Sequence, residues 1–417
     1  MRRTTTPGLA AFLFCHLWND HYILSQKTHI LPFVVYLLGL TIFALTTAEF
    51  MVAGMMPSLA AALNVSVSEI GYLISLYALG MAFGGPVLTA LLLALRVPNK
   101  PALLWLLVLY VAGAVLAALA TTYGVMAAGR VVMGVASSAC FGVSLTICAG
   151  LVAPEARGRA ASFVLAGLML SPVLGVPATA LIEQHHGWRA SFWAVAVLSV
   201  LCTTVVAWRV PASKDQSHVG LSAEFRSLRN GGLWAAYATS ALIIGATFAA
   251  FSYFSPIFIG VTRFSAKAIP WLLMAYGLAN VVGNLVVGRL ADRHMIAVLT
   301  GGLGILALAL GAFAGFAHSA AISVIAFLAI GLTGVALNPA MVARVMRAAS
   351  PGPLVNTMHT SLITVGLAVG SWAGGAAIDA GYGLRSPLWI GLALALAGLL
   401  SLAPFMGKRV QQRVTTQ

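Results

Sequence analysis

Long apolar runs, broken by short polar stretches, alternate along nearly the whole chain. Six lie between Leu31 and Val210, and six more between Leu233 and Phe405. A helix needs roughly 20 apolar residues to cross a hydrocarbon layer, and these runs have that length. None keeps the polar face that a helix on a water-soluble core turns outward. The pattern predicts twelve membrane-spanning helices. One stretch stands apart: Pro211–Asn230 carries five charged residues, Lys214, Asp215, Glu224, Arg226 and Arg229. It separates a six-helix half over 31–210 from a second over 232–406, as a cytoplasmic linker over 211–231. Residues 1–30 then form a cytoplasmic or interfacial extension, whose apolar stretch Gly8–Trp18 is too short to span, and 407–417 form a cytoplasmic tail.

Internal likeness supports two pseudo-symmetric halves. The run Gly288-Arg289-Leu290-Ala291-Asp292-Arg293 falls 193 residues after Arg96, in the matching inter-helix position. The glycines of the fifth span (Gly167, Gly175) are echoed in the eleventh by Gly366, Gly370, Gly374 and Gly375, as expected of a duplicated repeat. The predicted class is an all-α polytopic membrane protein.

Composition agrees: 60% of the 417 residues are hydrophobic and only 8% charged, with a mean hydropathy of +0.98. A net charge of +14 would point to nucleic acid in a soluble protein. Here its distribution decides otherwise. With both termini in the cytoplasm, 18 of the 23 Lys and Arg residues fall on that side, four outside, and Arg130 alone within a span. That asymmetry is an orientation signal and leaves no role for nucleic acid. Cys15, Cys140, Cys148 and Cys202 sit in apolar surroundings without metal-type spacing and read as packing residues. Neighbouring residues on a helix point apart, so His185 and His186 read as surface histidines and no metal site is expected.

Two ionisable groups remain inside the first half. Glu49 is the one acid well inside a span, and Arg130 lies in the fourth. At ~1.5 Å rise per residue, both sit ~8–10 Å below the outer boundary. An intramembrane carboxyl is costly and marks a functional candidate; the bland alternatives are a neutral structural carboxyl and an arginine snorkelling to the headgroups. Burial and a nearby guanidinium act on a carboxyl's proton in opposite senses, which suits a proton carrier. In the second half Asn280, Asn338 beside Pro339, and His359 are polar. Each serves either as inter-helix glue or as a cavity-facing group. No Gly-Lys-Ser/Thr phosphate loop appears, so no nucleotide and no cofactor is expected. A membrane enzyme would want paired carboxylates or a metal cluster, and Glu49 has no acidic partner in the hydrocarbon.

In this order, several short motifs resemble one family: Thr47-Ala48-Glu49-Phe50, Tyr77-Ala78-Leu79-Gly80, Arg130-x-x-x-Gly134, Arg157-Gly158-Arg159-Ala160, Gly175-Val176-Pro177, Gly187-Trp188-Arg189 and Gly288–Arg293. Over roughly 31–406 the chain resembles the major facilitator superfamily, and within it the twelve-helix drug:proton antiporters of the arabinose-efflux and chloramphenicol-resistance branch. The resemblance implies the two-half facilitator fold in a bacterial inner membrane, and a monomer that exports a small apolar compound against protons, with a proton gradient as energy source. The same scaffold would also serve an exporter of sugars, nucleosides or another metabolite. Glu49 and Arg130 would couple protons. Arg289, Asp292 and Arg293, with Arg157 and Arg159, would form the inner gate. Of the first copy of that gate motif only Arg96 and Lys100 remain, with Leu91 and Leu95 where glycine and aspartate stand in the family. Gly167, Gly175 and Pro177 match the antiporter motif of helix 5, and Phe50, Asn280, Asn338 and His359 are the substrate-lining candidates.

Overall fold

The computed structural model describes residues 31–153, 156–211, 229–348 and 353–406. The expectations for 1–30, for most of the linker and for 407–417 lie outside the described residues. Among those described there are twelve helices long and apolar enough to cross a membrane, and no strand. They are α1 (Phe33–Gly54), α2 (Val67–Leu92), α3 (Asn99–Ala118), α4 (Tyr123–Gly150), α5 (Arg157–His186), α6 (Trp188–Arg209), α7 (Gly231–Gly260), α8 (Ala266–Ala291), α9 (Arg293–Phe316), α10 (Ala320–Ala348), α11 (Val355–Tyr382) and α12 (Ser386–Phe405).

Polar residues set where several helices begin. Ser66 and Glu69 close a capping box at the start of α2: Ser66 Oγ accepts from the Glu69 amide (3.1 Å) and Glu69 Oε2 accepts from the Ser66 amide (2.8 Å). Thr122 caps α4 and Asn230 caps α7 by a side-chain oxygen alone, accepting from the amides of Val125 and Gly232. Gly187, at φ +81, turns the chain between α5 and α6.

The duplication is visible in the backbone. Continuous helix stops in α1 at Met55 (φ −111, ψ 17) and in α7 at Tyr253 (φ −112, ψ 10), each followed by a short further helix. Neighbours repeat as well: α1 packs on α5 and α6, α7 on α11 and α12. In α10 the helix breaks at Gly334 and passes through a 3-10 turn before restarting at Asn338-Pro339. A proline there can neither donate to the preceding turn nor tolerate its carbonyl.

Call the end carrying Arg157, Arg289 and Arg347 the basic end, and the other the far end. The halves meet through Val67–Gly84 of α2 against α11, and through Ser171–His186 of α5 against α8. The stretch Gly85–Ala94, which carries α2 on toward the basic end, packs on α4 within its own half. The bundle is thus closed at the far end and parted toward the basic end. Both α2 and α5 widen to π-helical turns at mid-membrane, Gly80–Gly84 and Ser171–Gly175, where their packing partners change.

Candidate functional site in the membrane core

Arg130 has no solvent exposure, which excludes snorkelling. Its guanidinium donates through Nη1 to Ala48 O (2.6 Å), through Nη2 to Glu49 O (2.9 Å) and through Nε to Leu73 O (3.5 Å). Its Cζ lies 4.2 Å from the centre of the Tyr77 ring. Tyr77 and Tyr110 both donate their hydroxyls to Leu45 O, at 3.3 and 3.5 Å. Desolvating a charge costs several kcal/mol, and this cage of oxygens with an aromatic face offsets it. Equal depth in the sequence pointed to a partnership of Arg130 with Glu49. The structure makes that link through the Glu49 main chain.

The Glu49 carboxylate makes no hydrogen bond among the described residues, although the residue is only 8% exposed. On the next position, Phe50 crosses to the second half: it stacks on Phe248 (5.4 Å between centroids) and meets Phe251 edge-on (6.1 Å). Phe251 continues to Tyr276 and Phe254, and Phe254 to Phe327. Phe50 of α1 thus joins an aromatic cluster whose other rings come from α7, α8 and α10 of the second half.

The helix 5 motif packs against the same stretch of α1. A Cβ on Gly167 would lie 2.0 Å from Gly39 O, and one on Gly175 would lie 2.0 Å from Thr47 Oγ1. Thr47 in turn bonds Ser171 Oγ at 3.3 Å, and Pro177 is buried two residues on. Gly175→Ala is therefore expected to cost about 1–3 kcal/mol of stability by overpacking. Thr47→Ala in the same chain should recover part of it, read by thermal unfolding in detergent.

The other candidates separate. Asn280 is buried with its Oδ1 unpartnered, and Asn338 is half-buried where α10 restarts. His359 packs within the second half near the basic end, its Nε2 2.9 Å from Ser240 Oγ and its ring stacked on Tyr237. Arg96 (φ 52), Arg157, Arg159, Arg289 and Arg293 are exposed and Lys100 is half-buried, all at the basic end; Arg157 Nε donates to Ala149 O at 3.1 Å. Asp292 ends α8, and its side chain lies outside what is described.

Two further polar residues take places that sequence does not mark. Arg344, one of the basic residues assigned to the cytoplasmic side, is 5% exposed, donates to Thr239 Oγ1 (2.6 Å) and lies over the Phe405 ring. Asp379, at the far end of α11, accepts from Ser68 and Tyr72 of α2. Neither pairing is local in sequence. His185 and His186 are exposed, and no cluster of metal-ligating residues occurs among the described residues.

Comparison with known proteins gives a consistent picture. The family model described as Major Facilitator Superfamily matches residues 38–358. The chain is 31% identical over 380 residues to the chloramphenicol resistance protein of Streptomyces lividans, covering 90% of this chain and 96% of that one. It is 32% identical over 375 residues to the inner membrane transport protein YdhP of Escherichia coli (strain K12), covering 90% and 95%. Among solved structures, a bacterial homologue of the human lysosomal transporter Spinster, inward-facing and occupied, superposes with a TM-score of 0.70 at 14% identity, over 90% of this chain and 96% of that one. That last likeness concerns the fold.

Proposed function

This chain belongs to the major facilitator superfamily, and from that premise we propose that it exports a small, largely apolar compound in exchange for protons by alternating access. It is a multi-pass membrane transporter and not an enzyme. In our reading the basic end faces the cytoplasm, the membrane is the bacterial inner membrane, and the conformation described opens inward. The likeness to a chloramphenicol resistance protein favours a drug-like substrate.

One observation carries the coupling: the buried Glu49 carboxylate has no hydrogen bond among the described residues, while the nearby guanidinium is committed to backbone oxygens. A carboxyl so placed is able to exchange its proton with either side as access alternates. Phe50, Phe248 and Phe251 give an apolar substrate its contact surface. At the cytoplasmic end, Asp292 would dock at the N-terminus of α5 beside Arg157 and Arg159 when that side closes, where unpaired amides favour an acid. The buried, unpartnered Oδ1 of Asn280 favours a second reading, in which the substrate is a hydroxylated metabolite such as a sugar or nucleoside. Counterflow in proteoliposomes separates the two. Chloramphenicol-type compounds, sugars and nucleosides are each offered with and without an imposed pH gradient. Uptake of the first class, raised by the gradient, supports the proposal; gradient-independent movement of every class removes proton exchange from it.

A further inference from the structure

Asp379 stands at the far end of α11, in the widened turn Ile378–Tyr382, just before Gly381 and Gly383, both at positive φ. Its two carboxylate oxygens divide between two hydroxyls of the other half. One accepts from Ser68, the other from Tyr72 at 2.7 Å. Both donors lie in the first turns of α2, Ser68 within the capping box of Ser66 and Glu69 and Tyr72 one turn further on. An acid is favoured at a helix N-terminus, and hydroxyl bonds to an ionised carboxylate are about twice as strong as neutral ones.

The surroundings leave little slack. Ser68 has no solvent exposure. A Cβ on Gly375 would come within 2.8 Å of the Tyr72 ring, and the Tyr253 hydroxyl, bonded to Ser371 O at 2.8 Å, fills the space beside Gly71. Among the described residues, two other polar contacts join the halves at the far end: Gln184 Nε2 donates to Ala266 O (2.6 Å) and Ser255 Oγ to Gly54 O (3.4 Å). Both of those accept on the main chain. In Asp379 a side-chain anion holds the contact.

Chain direction explains the choice of residue. Asp292 ends α8 at the basic end, the end where α5 begins; Asp379 ends α11 at the far end, where α2 begins. We propose that Asp379 is the outer-gate latch of this transporter: its bonds to Ser68 and Tyr72 hold the far end shut, and breaking them is the step that opens the outer side. The latch rests on the alternating-access reading above.

The test uses full-length protein in lipid nanodiscs and distances between paired spin labels. One pair, Ala62→Cys with Tyr382→Cys, spans the far end; the other, Leu95→Cys with Leu290→Cys, spans the basic end. Asp379→Asn keeps the shape and removes the charge. It should raise the ratio of far-open to far-closed molecules roughly tenfold, the effect of losing about 1.4 kcal/mol of bonding. Asp379→Glu should restore part of the closed population. Ser68→Ala with Tyr72→Phe should shift the ratio as Asp379→Asn does, and combining all three should add nothing. An unchanged far-end distribution in Asp379→Asn, or shifts that add in the combined variant, would overturn the latch while leaving alternating access standing. A wild type whose distances stay fixed at both ends, with substrate and with a pH gradient, would overturn the transport reading and the latch with it.

Discussion

Glu49→Gln is expected to abolish accumulation driven by a pH gradient while substrate-for-substrate exchange continues. Glutamine matches the shape of the protonated carboxyl but has no proton to release, so a coupled cycle stops at the step where the carboxyl must ionise. The change should be tolerated structurally. Arg130 binds the main-chain oxygen of Glu49, and the carboxylate has no hydrogen bond to lose among the described residues. Proteoliposomes separate the two activities: uphill transport under an imposed gradient should fall to the level of empty vesicles, with counterflow near wild type. Wild-type uphill transport in this variant would remove Glu49 from the mechanism.

Arg130→Ala should be worse for the protein as a whole. It deletes donors to Ala48 O, Glu49 O and Leu73 O and the charge over Tyr77, leaving a void in the packing of α1, α2 and α4. Hydrogen bonds to charged groups contribute about 1.5–3 kcal/mol each, against a desolvation cost that the alanine no longer bears. Even one such bond in net loss corresponds to roughly tenfold in an equilibrium, so at least a tenfold fall in transport is expected. A lower unfolding midpoint in detergent should accompany it. Arg130→Lys keeps the charge without the planar fork that reaches several carbonyls at once, and should fall between. Equal loss in both variants would mean that the fork, and not the charge, is what α1 requires.

Sequence pattern revealed the twelve helices because apolar length is a local property, countable residue by residue. It also placed Glu49 and Arg130 at one depth, since rise per residue is fixed. Azimuth is another matter. Which way a side chain points around its helix depends on which helix lies next to it, and in this chain that neighbour is often a hundred or more residues away. Arg130 therefore seemed destined for a carboxylate and instead reaches carbonyl oxygens. Arg344, near the end of its run, looked like a loop charge, and the Thr239 that receives it lies 105 residues earlier. Asp379 carries no local signal because its partners Ser68 and Tyr72 are 311 and 307 positions distant. The glycines and Pro86 of α2 are legible as a place for close approach and a bend, but not which helix comes close there: Val135 of α4 against Gly84, and Thr47 of α1 against Gly175 of α5.

The grip of Arg130 on main-chain oxygens bears on how such transporters diversify. A carbonyl is present whatever residue carries it, so position 49 is able to change its side chain without dismantling the anchor between α1 and α4. Under the proposed role of Glu49, energy coupling and architecture are then separable. Loss of the acid would leave a passive exchanger with its fold intact, and restoring one residue would return the coupling. On that proposal, gradient-driven and downhill carriers on this scaffold stand a single substitution apart.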